Sequence, residues 1–557
     1  DLTSGSTVNN DGLMIVVGTV DNEVEQAATR RIITTGFKDP TGVVQLGGLN
    51  GDVANKLIID QSGNSIYSGL IIGAGSLEKT GNGVLTLTGA NTFTGGLTVD
   101  AGGLDTTGGG TFADTLAANV HAGAVFTIGT TDTIASLTNA GTVNVNATST
   151  MASLSNSGAV NVHDRLNVTG TVSNLANGNF AISADGVAAL GALTNSGTVT
   201  NAGTLAVEGN ATNAAGATMT LAASALTGFG SLTNSGTITA ASDILVVGSY
   251  VQNAGSLTTT ADLETGSLSG AGGAIHLADG SNFSVHQTEN GTYAGSIGGA
   301  GSSVVKTGAA TLTLAGAAGS FAPSTLDIVQ GVVAVDGAGI LDSALRVDVA
   351  TGAGLTLVHG NQTINNLTGS GTLSLGGNNL YLANGGNFAG TVTGAGNVQV
   401  TTGTFNLSNT INSTAGNFQV QTGSAMNVGA AGTLNAPTVE VTGDLNVLGT
   451  VNSTTTNIGN NGVLHLGNAN GSTGGSLNSQ TTVVNGGGSL TGVGSVSGST
   501  TVGGASAGNL KPGNSPGTLT FANLTLDNHS TTVMEVEGAA GAGLPAADGG
   551  FDRITVT

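Results

Sequence analysis

Leu137-Thr138-Asn139-Ala140-Gly141-Thr142-Val143 recurs with small changes. It returns as Leu154-Ser155-Asn156-Ser157-Gly158-Ala159-Val160, as Leu193-Thr194-Asn195-Ser196-Gly197-Thr198-Val199 and as Leu232-Thr233-Asn234-Ser235-Gly236-Thr237-Ile238. Weaker copies contribute Asn174, Asn213 and Asn253, so the asparagines recur every 17 to 21 residues, with a mean of 19. In each copy, apolar residues at alternating positions flank an Asn-x-Gly turn. Asn and Gly tolerate positive φ, which makes the turn cheap, and Val, Ile and Thr suit the strands on either side. One such strand set cannot bury its apolar face alone, whereas stacked coils share a continuous core. The spacing therefore predicts an all-β solenoid. Ala, Val, Leu and Ile fill its narrow interior, and Thr, Ser and Asn lie outside or stack in ladders. About 19 residues per coil and ~4.8 Å per stacked strand predict roughly 29 coils in an elongated rod on the order of 140 Å long.

Composition agrees. Of 557 residues, 96 are Gly, only 8% are charged and 3% are aromatic, with no Trp and no Cys. Disordered chains carry more charge and Pro and less Val, Leu and Ile. Collagen requires Gly at every third position with abundant Pro. Without Cys there is no disulfide scaffold and no thiolate metal site, and such a chain suits passage through an oxidising periplasm while unfolded. The net charge of −22, with Arg30–Arg31 as the only adjacent cations, disfavours nucleic acid and anionic lipid as partners, since both need clustered Lys and Arg. No apolar run approaches the length of a membrane helix. The start at Asp1 shows no signal-peptide pattern, so the sequence reads as a mature or excised segment.

Two landmarks are sharper. The first runs Tyr67-Ser68-Gly69, Gly73-Ala74-Gly75, Lys79-Thr80-Gly81, Leu85-Thr86-Leu87 and on to Gly103-Leu104. A degraded copy has Tyr293-Ala294-Gly295, Gly299-Ala300-Gly301, Lys306-Thr307-Gly308 and Leu312-Thr313-Leu314, and a fainter echo has Phe388-Ala389-Gly390 and Gly394-Ala395-Gly396. This unit resembles the passenger-associated repeat of bacterial type V autotransporters. The second landmark, Lys511-Pro512-Gly513-Asn514-Ser515-Pro516-Gly517 followed by Phe551-Asp552-Arg553-Ile554-Thr555-Val556, is similar to the closing segment of many autotransporter passengers. The resemblance implies a right-handed parallel β-helix, an outer-membrane translocator barrel in the same precursor, and a place at the cell surface or outside the cell. The expected organisation is an irregular N-terminal cap over 1–50, β-helical passenger repeats over 51–490 and C-terminal passenger coils over 491–557.

Candidate chemistry is sparse. Pectin-cleaving β-helices use clustered Asp with Gly-His-Gly and Arg-Ile-Lys, whereas His359-Gly360 and Arg553-Ile554-Thr555 stand isolated here. Glu535 and Glu537 share a strand face, but a pair of glycosidase carboxylates needs more than proximity on a terminal strand. Asp60-Gln61-Ser62-Gly63 is one residue too long for the Gly-Asp-Ser-Gly nucleophile motif of passenger serine proteases. No Lys follows a Gly, which excludes the phosphate-cradling loop. The histidines at 121, 163, 276, 286, 359, 465 and 529 never pair at ligand spacing. The calcium nonapeptide is not repeated, and the Asn146-Ala147-Thr148 sequon is expected by chance. Arg30-Arg31-Ile32-Ile33 reads as part of the cap. The sequence thus predicts no catalytic, cofactor-binding or metal-binding residues. The expected activity is contact: a non-enzymatic adhesin or aggregation rod whose partners are host surface or matrix molecules, or identical rods on neighbouring cells. The alternatives are a subunit of an extracellular filament or matrix and, third, a β-helical enzyme acting on polysaccharide.

Overall fold

The computed structural model describes residues 13–16, 30–34, 42–46, 55–413, 416–468, 473–513, 517–535 and 551–557. None of these is helical; strands make up 63% of the described residues, in about 23 turns of parallel β-solenoid. The chain divides into two units, Asp1–Gly266 and Ser267–Thr557.

In the first unit each coil from Asp132 onward pairs a long strand with a short one. Asp132–Asn139, Ser149–Asn156, Arg165–Asn174 and Val187–Asn195 stack on one another, and so do Thr142–Val145, Ala159–Val162, Asn179–Ile182 and Thr198–Asn201. The short strands place Phe126, Val143, Val160, Phe180, Val199, Met219, Ile238 and Leu257 in one buried column. Burying each contributes about 1.5–3 kcal/mol. The long strands turn a corner where their register shifts, between Val168 and Thr171 for example. Glycine marks that corner, and a Cβ on Gly191 or Gly230 would collide with carbonyl oxygens of the preceding coil, at Thr169 and Glu208. Within the expected cap, Leu13–Val16 pairs with Val43–Leu46 and Arg30–Thr34 with Asn55–Asp60, all in parallel.

In the second unit short strands stack from Gly291–Tyr293 through Thr391–Thr393. Long strands follow, with Thr433–Val441, Thr450–Ile458, Gly475–Val484, Gly494–Val502 and Thr518–Leu526 paired in parallel, the register shifting between Asn478 and Thr481 and between Val496 and Ser499. Coil length is not uniform. Asp132 pairs with Ser149, 17 residues on, whereas Val463 pairs with Ser489, 26 on. The turns absorb the difference, and the described residues make about 23 coils of uneven length.

The repeated asparagines are not turn residues. Asn139, Asn156, Asn174, Asn195, Asn213 and Asn234 end their strands, are at most 1% exposed and form one inward column. Each Nδ2 donates to Oδ1 of the next, at 2.8–2.9 Å. The column closes on Gln252, not on Asn253, and Asn234 Nδ2 donates to Gln252 Oε1 at 2.9 Å. Oδ1 of Asn139, Asn156, Asn195 and Asn234 also accepts the N–H of the glycine two residues on, at 3.0–3.2 Å. Those glycines do not use positive φ. They are required by close approach, since a Cβ on Gly141, Gly158, Gly197 or Gly236 would strike carbonyl oxygens of the previous coil.

Candidate functional site

Two features of the repeat landmark become intelligible in three dimensions. Lys79 and Lys306 occupy inward strand positions that Ile59 and Val99, or Val285 and Ile328, fill in the adjoining coils. Both lysines are fully buried. Lys79 Nζ donates to the carbonyls of Thr80 (2.5 Å), Gly81 (2.9 Å) and Ala101 (3.3 Å). Lys306 Nζ donates to Gly308 (2.6 Å), Ala310 (2.6 Å) and Gln330 (2.8 Å). An ammonium has three donors and no acceptor, so three carbonyls satisfy it. Each lysine therefore staples its own turn to the turn of the next coil. Burial pushes Lys79 down to about 8, with Asp60 pulling the other way, and burial pushes Lys306 down to about 8.

The aromatic-x-Gly element has an equally local cause. Tyr67, Tyr293 and Phe388 are buried, and each ring tip lies under the glycine two residues on. A Cβ on Gly69, Gly295 or Gly390 would lie 2.6 Å from Cζ of the respective ring. Tyr67 Oη donates to Gly42 O at 2.8 Å, and Tyr293 Oη donates at 3.2 Å to Gly273 O. The faint third echo thus keeps the geometry of the other two.

The residues weighed as chemistry do not converge. Asp60 is exposed at a strand end, and the following Gln61 is buried with its Oε1 accepting Ser65 Oγ at 2.6 Å. His359 Nδ1 meets Asp336 Oδ1 at 2.6 Å with the imidazole 78% exposed, and no hydroxyl bonds that ring among the described residues. His121 makes the same contact with Asp100 at 2.5 Å, and its Nε2 meets Asn119 Nδ2 at 2.9 Å. Glu537 and residues 539–550 lie outside the described residues, as do Asn514, Ser515 and Pro516. Glu535 is exposed. Arg553-Ile554-Thr555 is a strand segment paired with Thr518–Thr520. Asp552 is the surprise of the closing motif. It is 3% exposed and accepts the N–H groups of Gly517 (3.1 Å) and Glu535 (2.7 Å).

Sequence reasoning also missed a carboxylate pair. Asp327 and Asp348 are in register on adjacent coils. Burial, then the Asp348 charge, raises Asp327, and Arg346 opposes the rise. Thr368 Oγ1 donates to Asp348 Oδ2 at 2.6 Å. Asp132 is pushed up to about 6 by burial, but its oxygens already accept the N–H groups of Phe112 and Thr133. No signal at one position could have revealed the pair, because it depends on coil register. Among the described residues no group of three or more His, Asp or Glu could hold a metal ion.

Outward positions are instead ordered rows of neutral polar side chains. Thr198, Thr218, Thr237 and Ser256 form one row, with Thr200, Thr220, Thr239 and Thr258 beside it. In the second unit Asn412, Asn435, Asn452 and Asn478 are linked amide to amide at 2.5–2.8 Å.

A family model described as the passenger-associated-transport-repeat matches residues 77–105 and 304–335. No curated protein and no solved structure matches the chain significantly. Both matched stretches contain the lysine staple. Two such repeats set in a parallel β-solenoid support a passenger domain of a type V autotransporter.

Proposed function

We propose that this passenger works by contact, as a non-enzymatic adhesin or aggregation factor. Passenger identity implies display at, or release from, the bacterial surface and a C-terminal translocator barrel in the precursor. The observation that carries the proposal is the outward Thr, Ser and Asn rows repeated coil after coil. Each such face offers weak, uncharged hydrogen bonding, and repetition along one chain converts weak contacts into avidity. Catalysis instead needs titratable groups converging in a shielded site, and the perturbed carboxyls found here sit on strands, already hydrogen-bonded or in register with one another.

Display of the chain on a non-adherent bacterium should cause clumping or attachment to host matrix. Asp60→Ala, Glu535→Ala, His359→Ala and Asp327→Asn should leave that behaviour unchanged. Turnover of a polysaccharide, abolished by any of these replacements, would overturn the proposal, as would displayed chains that neither clump nor attach.

A further inference from the structure

One coil of the first unit breaks the inward-outward pattern. In the strand Leu226–Asn234, Leu226 faces solvent at 67% exposure while Thr227 faces inward at 7%. In the coil before it, Thr204 pairs with Leu226 and Leu205 with Thr227, so there the leucine points in. Exchanging the two residues would bury a leucine side chain, a gain of about 1.5–3 kcal/mol. The inward Thr227 is instead accommodated by Asn201, whose Nδ2 donates to Thr227 Oγ1 at 3.0 Å. Local pattern breaks of this kind tend to mark function.

The exposed leucine has company. On the next coil Leu245 is 44% and Val247 70% exposed, two residues apart on one face. Across three successive coils, Ala206, Gly228 and Leu245 form an outward column, and nothing lies within 4 Å of where a Gly228 Cβ would stand. The result is a groove of about 680 Å³ lined by Leu226, Gly228 and Leu245, with Asp243, Asp262 and Glu264 also along it. These three carboxylates are exposed, and no Lys or Arg lines the groove.

We propose that this groove seats an extended, cationic polypeptide segment. Its apolar side chains would cover Leu226, Leu245 and Val247, and its Lys or Arg side chains would meet Asp243, Asp262 and Glu264. Charge complementarity selects this occupant. A second copy of the chain, at −22, would be repelled by the acidic side of the groove, as would anionic glycans and lipids. Alternate residues of an extended segment repeat about every 6.8 Å, the spacing at which Leu245 and Val247 are presented. The inference rests on the contact function proposed above and narrows its partner.

The test is binding of synthetic ten-residue peptides to the purified chain, read by fluorescence anisotropy. One peptide alternates Lys with Leu, a second Glu with Leu, a third Lys with Gly. The Lys–Leu peptide should bind, more weakly at high salt, and the other two should not. The double change Leu226→Thr/Leu245→Thr, which installs the residue type already found at 204, should weaken binding by at least about ten-fold. Gly228→Val, which fills the open notch, should do likewise, and Asp243→Asn/Asp262→Asn/Glu264→Gln should remove the salt dependence. Equal binding by wild type and the leucine variant, or binding of Lys–Gly as tight as Lys–Leu, would overturn the proposal. The outcome separates from the adhesin reading. Attachment by displayed chains carrying Leu226→Thr/Leu245→Thr, with no peptide bound by wild type, sinks only the groove. Peptide binding by a chain that never clumps or attaches sinks only the adhesin.

Discussion

The lysines of the two repeats are the least expected residues in the molecule. In a stretch rich in Thr and Gly, a lysine reads as a solvated surface charge, yet Lys79 and Lys306 are fully buried. Their sign with pH is definite. The unfolded ammonium titrates near 10.5 and the folded one near 8, so between those values the folded state has released a proton that the unfolded state still holds. Stability therefore rises with pH across that window, and below about 8 the full cost of the buried charge remains. Urea denaturation at pH 7 and at pH 10 should show wild type gaining relative to Lys306→Met. The variant itself should lose about 2 kcal/mol or more at neutral pH, because its turn carbonyls keep no donor. Identical pH profiles for the two proteins would refute this. Asn195 is a second sensitive residue. It donates to Asn213 Oδ1 and Thr218 O, and accepts from Asn174 Nδ2 and from the Gly197 N–H. Asn195→Ala should cost about 2–4 kcal/mol locally, seen as faster amide exchange across the coils from 174 to 218.

At the scale of the element, glycine serves two opposite purposes. Gly197 sits where a Cβ would strike Gly178 O, whereas Gly228 has open space. Gly197→Ala should destabilise by about 2 kcal/mol through forced separation of coils. Gly228→Ala should be neutral or slightly stabilising, because only unfolded-state entropy changes; a thermal melt of each variant checks both. The strands, the parallel stacking and the apolar core were legible in the sequence because period-two alternation and turn spacing are local signals. The fate of the asparagines was not. A buried amide ladder depends on register between coils, and turn insertions hide that register. From Gln252 to Ser256 the turn carries one residue more than from Asn234 to Thr237, and Gln252 Nε2 bonds Ala254 O at 2.6 Å. The longer side chain thus fills the ladder site that the sequence assigned to Asn253. The Asp327–Asp348 pair and the groove at Leu226 were hidden for the same reason, since each joins residues of different coils.

At the scale of the whole molecule, stability is a sum over coils and the interfaces between neighbours. Acidic residues are spread so that like charges seldom share a register, which limits repulsion at strand spacing. Resemblance of 491–557 to the closing segment of other passengers leads us to expect the most resistant coils there, and Asp552 supplies a physical reason. Its carboxylate ties the approach to the strand Arg553–Val556 to the N–H groups of Gly517 and Glu535. Limited proteolysis should leave a C-terminal core, and Asp552→Ala should make that core the first part lost. Preferential survival of the N-terminal half in wild type would contradict both statements.

The inner amide column also bears on how such a protein ages. Spontaneous deamidation begins when an asparagine side chain swings so that its carbonyl carbon is attacked by the nitrogen of the following residue. In the column that nitrogen is committed: Ser157 N bonds Asn139 O, Ser196 N bonds Asn174 O and Ser235 N bonds Asn213 O, at 2.7–2.8 Å. The side chains are fixed by neighbours above and below, so the swing would break several hydrogen bonds at once. Asn82 and Asn177, each followed by glycine, also have that nitrogen engaged (Gly83 N to Gln61 O at 2.9 Å, Gly178 N to Leu175 O at 2.8 Å), but their side chains are exposed and no hydrogen bond among the described contacts holds either amide against the swing. Prolonged incubation at mildly alkaline pH should therefore convert Asn82 and Asn177 first, leaving Asn156 and Asn195 intact by peptide mass mapping. A protein that outlives the cell machinery able to replace it would keep its interior chemically young while its surface acquired negative charge.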